Sequence, residues 1–185
     1  MYGLTVAAVS ATLSFAFAML TSFRLSLALC AASLAAILAG CGGGATGESP
    51  QVLNGNGFTY SAPTGWKVTR TDRKLAASEG RTDLVSVQVF PLRRAYRPAL
   101  FTAASGELDR VAGELASGLR GKVTRSATVT VAGRRARQYV VAYRGLVQEV
   151  TFVLVDRREY QLLCRRASDA DAGHCATLVR SFRLA

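Results

Sequence analysis

The chain has 185 residues, half of them hydrophobic, with four cysteines, one histidine and a formal net charge of +11. Once an apolar leader is set aside, that length leaves room for one small domain. A domain of this size buries a hydrophobic core without a dense disulfide framework, and a single histidine leaves little for a histidine-based metal site.

Met1 to Gly40 contains no acidic residue and one basic residue, Arg24. The run is long enough for a spanning helix, which needs about 20 apolar residues. A secretory signal has a basic start, an apolar core of roughly 7–15 residues and small residues at its end. Arg24, then Leu25 to Leu38, then Ala39-Gly40 fits that second pattern better. Residues before Arg24 lack the charged start, so translation is expected to begin at Met19.

Leu38-Ala39-Gly40-Cys41, opening onto Gly42-Gly43-Gly44, resembles a bacterial lipobox. The resemblance implies that residues 1–40 are a lipoprotein signal peptide. Cys41 then becomes the first mature residue and carries acyl chains such as palmitate. The rest of the chain is tethered to the membrane on the extracytoplasmic side of the cell envelope. An uncleaved anchor and a plainly secreted product are the competing readings. One acyl chain gives only marginal membrane residence, whereas the two or three typical of such a cysteine hold stably. Residues 41–56 are rich in Gly, Ser, Asn and Pro and are expected to form a flexible tether. Residues 57–185 are expected to form the folded domain, with no internal repeat and no second linker.

Within that domain Phe58-x-Tyr60 alternates as a short strand, Pro63-Thr64-Gly65 supplies a turn, and Trp66-x-Val68 resumes the strand. Leu84 to Phe90 alternates strictly and reads as a strand. From about Ala99 the period changes: Ala104, Leu108, Val111, Leu115 and Leu119 share one helical face, with Gly121 at the expected C-cap. Ala127 to Val131, a tight turn at Ala132-Gly133, and Ala136 to Tyr143 follow as strands. A hairpin turn at Arg144-Gly145 leads to Val147–Val155. Asp156-Arg157-Arg158 reads as a further turn into Tyr160–Cys164. Asp169 to Arg180 reads as a second helix with Cys175, Leu178 and Val179 inward. Strands in a meander with helices packed on them make an α+β layer fold.

Of the four cysteines, Cys30 leaves with the signal and Cys41 is acylated. Cys164 and Cys175 remain as an even pair in an oxidising compartment. A disulfide closing so short a loop stabilises by roughly 2–3 kcal/mol. The alternative is a redox or metal pair with His174 as a third ligand. Zinc sites need four ligands, or three with an open position. The disulfide is therefore preferred, and neither a metal nor a cofactor is expected.

Phe58-x-Tyr60-x-x-Pro63-x-Gly65-Trp66 resembles the entry motif of PsbP-like domains, which also occur in bacterial lipoproteins. Val129-Thr130-Val131-Ala132-Gly133-x-x-Ala136 and the closing Ser181-Phe182 fit the same pattern. The resemblance spans Gly57 to the end. It implies an α/β/α sandwich around a mostly antiparallel sheet and a non-enzymatic role in binding or assembly. The photosynthetic members' metal and subunit contacts have no recognisable counterpart in these residues.

A Gly-x-Ser-x-Gly elbow, a Walker-type phosphate loop, a His-Glu-x-x-His helix and a dinucleotide fingerprint are all missing from the sequence. His174 reads as a partly exposed helix residue, and Glu107, Asp109 and Glu114 as a solvated helix face. After Cys41 there are 22 basic residues against 12 acidic ones, nearly all of the basic ones arginine. Two clusters stand out: Arg93, Arg94 and Arg97 beside Pro98, and Arg134, Arg135 and Arg137. They are either compositional or a surface for anionic lipid or cell-wall polymer. Export would keep nucleic acid out of reach.

Two functional expectations follow. One is a lipid-anchored, non-catalytic binding or assembly module for another envelope protein or a small ligand. The other is an electrostatic adaptor to anionic material through the arginine clusters.

Overall fold

Alternating apolar residues build two antiparallel sheets in this computed structural model, which describes residues 49–185. Met19, the signal and Cys41 lie outside the described residues. Strands β1 (Gln51–Gly55) and β2 (Phe58–Ala62) form a hairpin, and β9 (Arg183–Leu184) pairs with the outer side of β2. The second sheet has six strands in the order β3-β4-β5-β8-β7-β6. They are β3 (Lys67–Arg70), β4 (Lys74–Glu79), β5 (Asp83–Tyr96), β6 (Lys122–Val131), β7 (Arg134–Tyr143) and β8 (Leu146–Ala167). Helix α1 (Phe101–Gly118) packs on β6 and β7, and α2 (Gly173–Ser181) packs on β2 and β8. Among the described residues no helix is long and apolar enough to cross a membrane.

The two cores lie on opposite faces of the six-stranded sheet, because their members alternate along one strand. Val150 and Phe152 of β8 meet Leu108 and Ala112 of α1, whereas the next residue, Val153, joins the larger core. That larger core gathers Phe58, Tyr60, Tyr160, Leu178 and Phe182, with edge-to-face and stacked rings 5.7–6.3 Å apart. The sheet is therefore covered by a helix on one side. On the other it is covered by a three-stranded sheet together with a helix, where a plain α/β/α sandwich would place helices alone. The Tyr60 hydroxyl donates to the Leu75 carbonyl at 2.9 Å and ties the two sheets together. Burial holds that hydroxyl far above its ordinary pKa, against a smaller opposing pull from Arg70.

Several expectations need correction. The tether expected over residues 41–56 overlaps β1: Gln51–Gly55 is paired residue for residue with Phe58–Ala62. Leu53 supplies the buried side chain, and Gly57 takes φ 81° at the turn. Phe58-x-Tyr60 and Trp66-x-Val68 do not continue one strand, since Pro63–Trp66 carries the chain from one sheet to the other. Gln51 Nε2 latches that crossing by donating to the carbonyls of Pro63 and Trp66 at 2.8 and 3.3 Å.

Asp156-Arg157-Arg158 is not a turn between strands, because β8 runs unbroken through it. Asp156 sits at φ 49°, the mark of a bulge. The inward parity changes across it, from Val153 and Val155 before to Tyr160, Leu162 and Cys164 after. The helix C-terminus also differs by one residue. Arg120, at φ 55°, takes the left-handed position expected of Gly121. Gly121 N–H then reaches the Ala116 carbonyl at 2.8 Å and completes a Schellman motif. A Cβ on Gly121 would lie 2.5 Å from the Ala142 carbonyl oxygen, so glycine is required by that close approach. Helix α2 starts at Gly173, because the Asp171 carboxylate accepts the Gly173 N–H at 2.7 Å and holds the preceding turn. Cys175 and Leu178 are buried as expected, and Val179 is half-buried.

Candidate functional site

The expected arginine clusters separate by environment. Arg93 and Arg94 lie where the β5–β8 pairing jumps from Pro91↔Arg158 to Tyr96↔Asp156, and this irregular stretch is exposed. Arg97 is exposed just before the 3-10 turn Pro98–Leu100. Among the described residues none of these three is in an ion pair. Arg135 stacks its guanidinium 4.0 Å over the Phe101 ring at the start of α1. Burial raises the pKa of Tyr96, and Arg135 pulls against that rise. Arg135 therefore sits with the first cluster. Arg134 is exposed and has no ion-pair partner among the described residues.

Arg137 is engaged elsewhere and leaves the proposed anionic surface. Its Nη2 donates to Asp109 Oδ1 at 2.6 Å, and its side chain is only 15% exposed. Tyr139 donates its hydroxyl to the same oxygen at 2.6 Å. Asp109 stays half exposed, as a solvated helix face requires, and also clasps α1 to the sheet, whereas Glu107 and Glu114 pair with Arg110 along the helix. The hydrogen bond from Arg137, then that from Tyr139, holds the Asp109 carboxyl below the usual carboxylate range. Burial, aided by the bond to Asp109, pushes the Tyr139 hydroxyl up to about 12.

Cys164 and Cys175 form a disulfide with a Cα–Cα distance of 5.3 Å, joining β8 to α2. His174 lies beside it, its ring 5.2 Å from that of Trp66 and its Nε2 buried without a hydrogen-bond partner. The candidate ligand atoms of Cys164, His174 and Cys175 lie within 4.8 Å of one another. The sulfur–sulfur bond removes both thiolates that a metal would need.

A second basic surface escaped the sequence reading. The β3–β4 turn and the β8 bulge face each other across a cleft of about 780 Å³. Arg70, Arg73 and Lys74 come from the turn, and Arg157 and Arg158 from the bulge. Phe58, Leu75, Val89 and Pro91 supply its apolar lining. Asp72 is the one carboxylate lining it. The next one along β8, Glu159, instead accepts from Gln161 Nε2 at 2.6 Å, and burial raises its pKa. The signal in the sequence was two short basic runs, of which only Asp156-Arg157-Arg158 was read, as a turn. They are more than 80 positions apart, and only the strand order brings them together.

No protein-family model matches the sequence, and no curated protein is significantly similar to it. Among solved structures, the cyanobacterial PsbP protein CyanoP from Synechocystis sp. PCC 6803 is similar at a TM-score of 0.56 and 14% identity. The match covers 80% of this chain and 99% of that one. A protein from Bacteroides thetaiotaomicron VPI-5482 is similar at a TM-score of 0.49 and 9% identity. That match covers 70% of this chain but only 45% of that protein, so this chain spans less than half its length. The chain has a PsbP-like fold, mostly antiparallel sheet with two helices.

Proposed function

We propose that the protein is a lipoprotein anchored through acylated Cys41 on the extracytoplasmic side of the cell envelope. Its domain, of the PsbP-like α/β/α sandwich class, serves there as a non-catalytic binding or assembly module. The observation that carries this reading is Leu38-Ala39-Gly40-Cys41 at the end of an apolar run, ten residues before a folded domain begins at Gln51. A tether this short keeps the module close to the bilayer and presents its surface to neighbours in the envelope. The disulfide supports an oxidising location.

The second reading, an electrostatic adaptor to anionic lipid or wall polymer, is favoured by the exposure of Arg93, Arg94, Arg97 and Arg134. Salt separates the two. Crosslinking in intact envelopes at about 0.15 M and 1 M salt compares screened with unscreened association. A shape-complementary partner is expected to give the same crosslinked species at both. Loss of every crosslink at high salt would overturn the module reading in favour of the adaptor.

A further inference from the structure

We infer that the cleft between the β3–β4 turn and the β8 bulge binds a soluble ligand carrying two or more phosphate charges beside a small apolar portion. This deepens the binding-module reading and rests on it. Arg70, Arg73, Lys74, Arg157 and Arg158 bring five cations to one concave site whose lining holds a single carboxylate, Asp72. Among the described residues none of the five is in an ion pair. Like charges gathered this way repel, and a multiply charged anion relieves that repulsion where a monocarboxylate would leave most of it. Arginine's planar fork fits phosphate oxygens two at a time.

The cations are held by structured backbone. Thr71 N–H donates to the Lys74 carbonyl at 2.8 Å, and Lys74 N–H donates to Thr71 Oγ1 at 3.1 Å. The Arg73 carbonyl accepts Val89 N–H at 2.8 Å. Across the cleft, the guanidinium of Arg158 lies over Gly57, where an added Cβ would meet its Nη1 at 2.7 Å. Only a residue without a side chain leaves that place open. The volume suits a small molecule, and the half-buried Val89 and exposed Pro91, backed by the buried Phe58 and Leu75, give the uncharged part of a ligand a small apolar contact.

The cleft's shape and placement favour a soluble ligand over a bilayer. The site is concave, and a planar headgroup surface does not enter it. The chain also enters the domain at Ser49, whose carbonyl accepts from Thr64 Oγ1. Ser49 lies just before Gln51, at the other end of β1 from the cleft residue Gly55, and that strand alone spans about 13 Å over its four residue steps.

Calorimetric titration of the full chain, in nonionic detergent at about 0.15 M salt, with inorganic pyrophosphate tests the site. Saturable binding is expected, weakened about tenfold or more in Arg73→Ser/Arg158→Ser. The variant Arg125→Ser/Arg180→Ser loses the same charge from exposed positions outside the cleft and should bind within about twofold of the parent. Three results would each overturn the inference. They are no saturable binding by the parent, equal weakening in both variants, or cleft-dependent flotation on phosphatidylglycerol vesicles without pyrophosphate binding. Pyrophosphate binding senses neither acylation nor envelope crosslinks, so failure of the cleft and failure of the anchored module are told apart.

Discussion

Asp109 shows how one side chain changes meaning between sequence and structure. Between Leu108 and Arg110 it reads as one more solvated acid. In the fold it receives the Arg137 guanidinium and the Tyr139 hydroxyl on one oxygen. Arg137 is mostly covered and Tyr139 is buried, so removing the carboxylate strands two polar groups. Asp109→Ala is expected to destabilise the domain by about 1–2 kcal/mol in denaturant titration. An unchanged midpoint would show that the clasp contributes nothing. Its pH dependence follows from the lowered pKa. The clasp's contribution is present above the ordinary carboxylate value near 4 and is lost as pH falls through the folded value. The parent's stability should therefore drop more steeply on acidification than that of Asp109→Ala.

Bulges and small residues decided which elements could be read from sequence alone. The strict alternation of Val85, Val87 and Val89 made β5 plain, and positive φ at Ala132-Gly133 and Arg144-Gly145 matches the expected tight turns. The face of α1 was read from its large residues, yet the side chains most deeply set against the sheet include Ala112 and Ala116. Their small size permits close packing and leaves little periodic signal. β1 was lost because Asn54, Gly55, Asn56 and Gly57 look like linker, although the same residues make a hairpin turn. β8 was divided in two because the left-handed Asp156 and the change of inward parity across it break the period just as a turn would. Deleting Asp156 should test this. Keeping Leu146–Val155 in register would turn Tyr160, Leu162 and Cys164 outward. The expected result is loss of cooperative unfolding and free thiols at Cys164 and Cys175. A folded, disulfide-bonded deletion variant would show that the bulge does not set the parity.

The fold class, the disulfide and the aromatic anchor motif were legible because each is written in local pattern or in cysteine arithmetic. The basic cleft was not, since Arg70–Lys74 and Arg157-Arg158 become neighbours only through the order β3-β4-β5-β8. The expected arginine clusters were partly misassigned for the same reason: whether Arg137 is free depends on a helix almost 30 residues earlier in the chain. For the protein as a whole, the proposed N-terminal lipid attachment would hold a small module of PsbP-like fold with a cationic cleft at the envelope. Everything proposed about where the module works depends on that attachment. Intact mass and N-terminal fragmentation of the protein isolated from its own envelope test it most directly. The expected result is a mature chain that begins at Cys41 with acyl mass on that residue, and a Cys41→Ala variant that keeps its leader. An unmodified Cys41, or a mature chain that begins elsewhere, would contradict it.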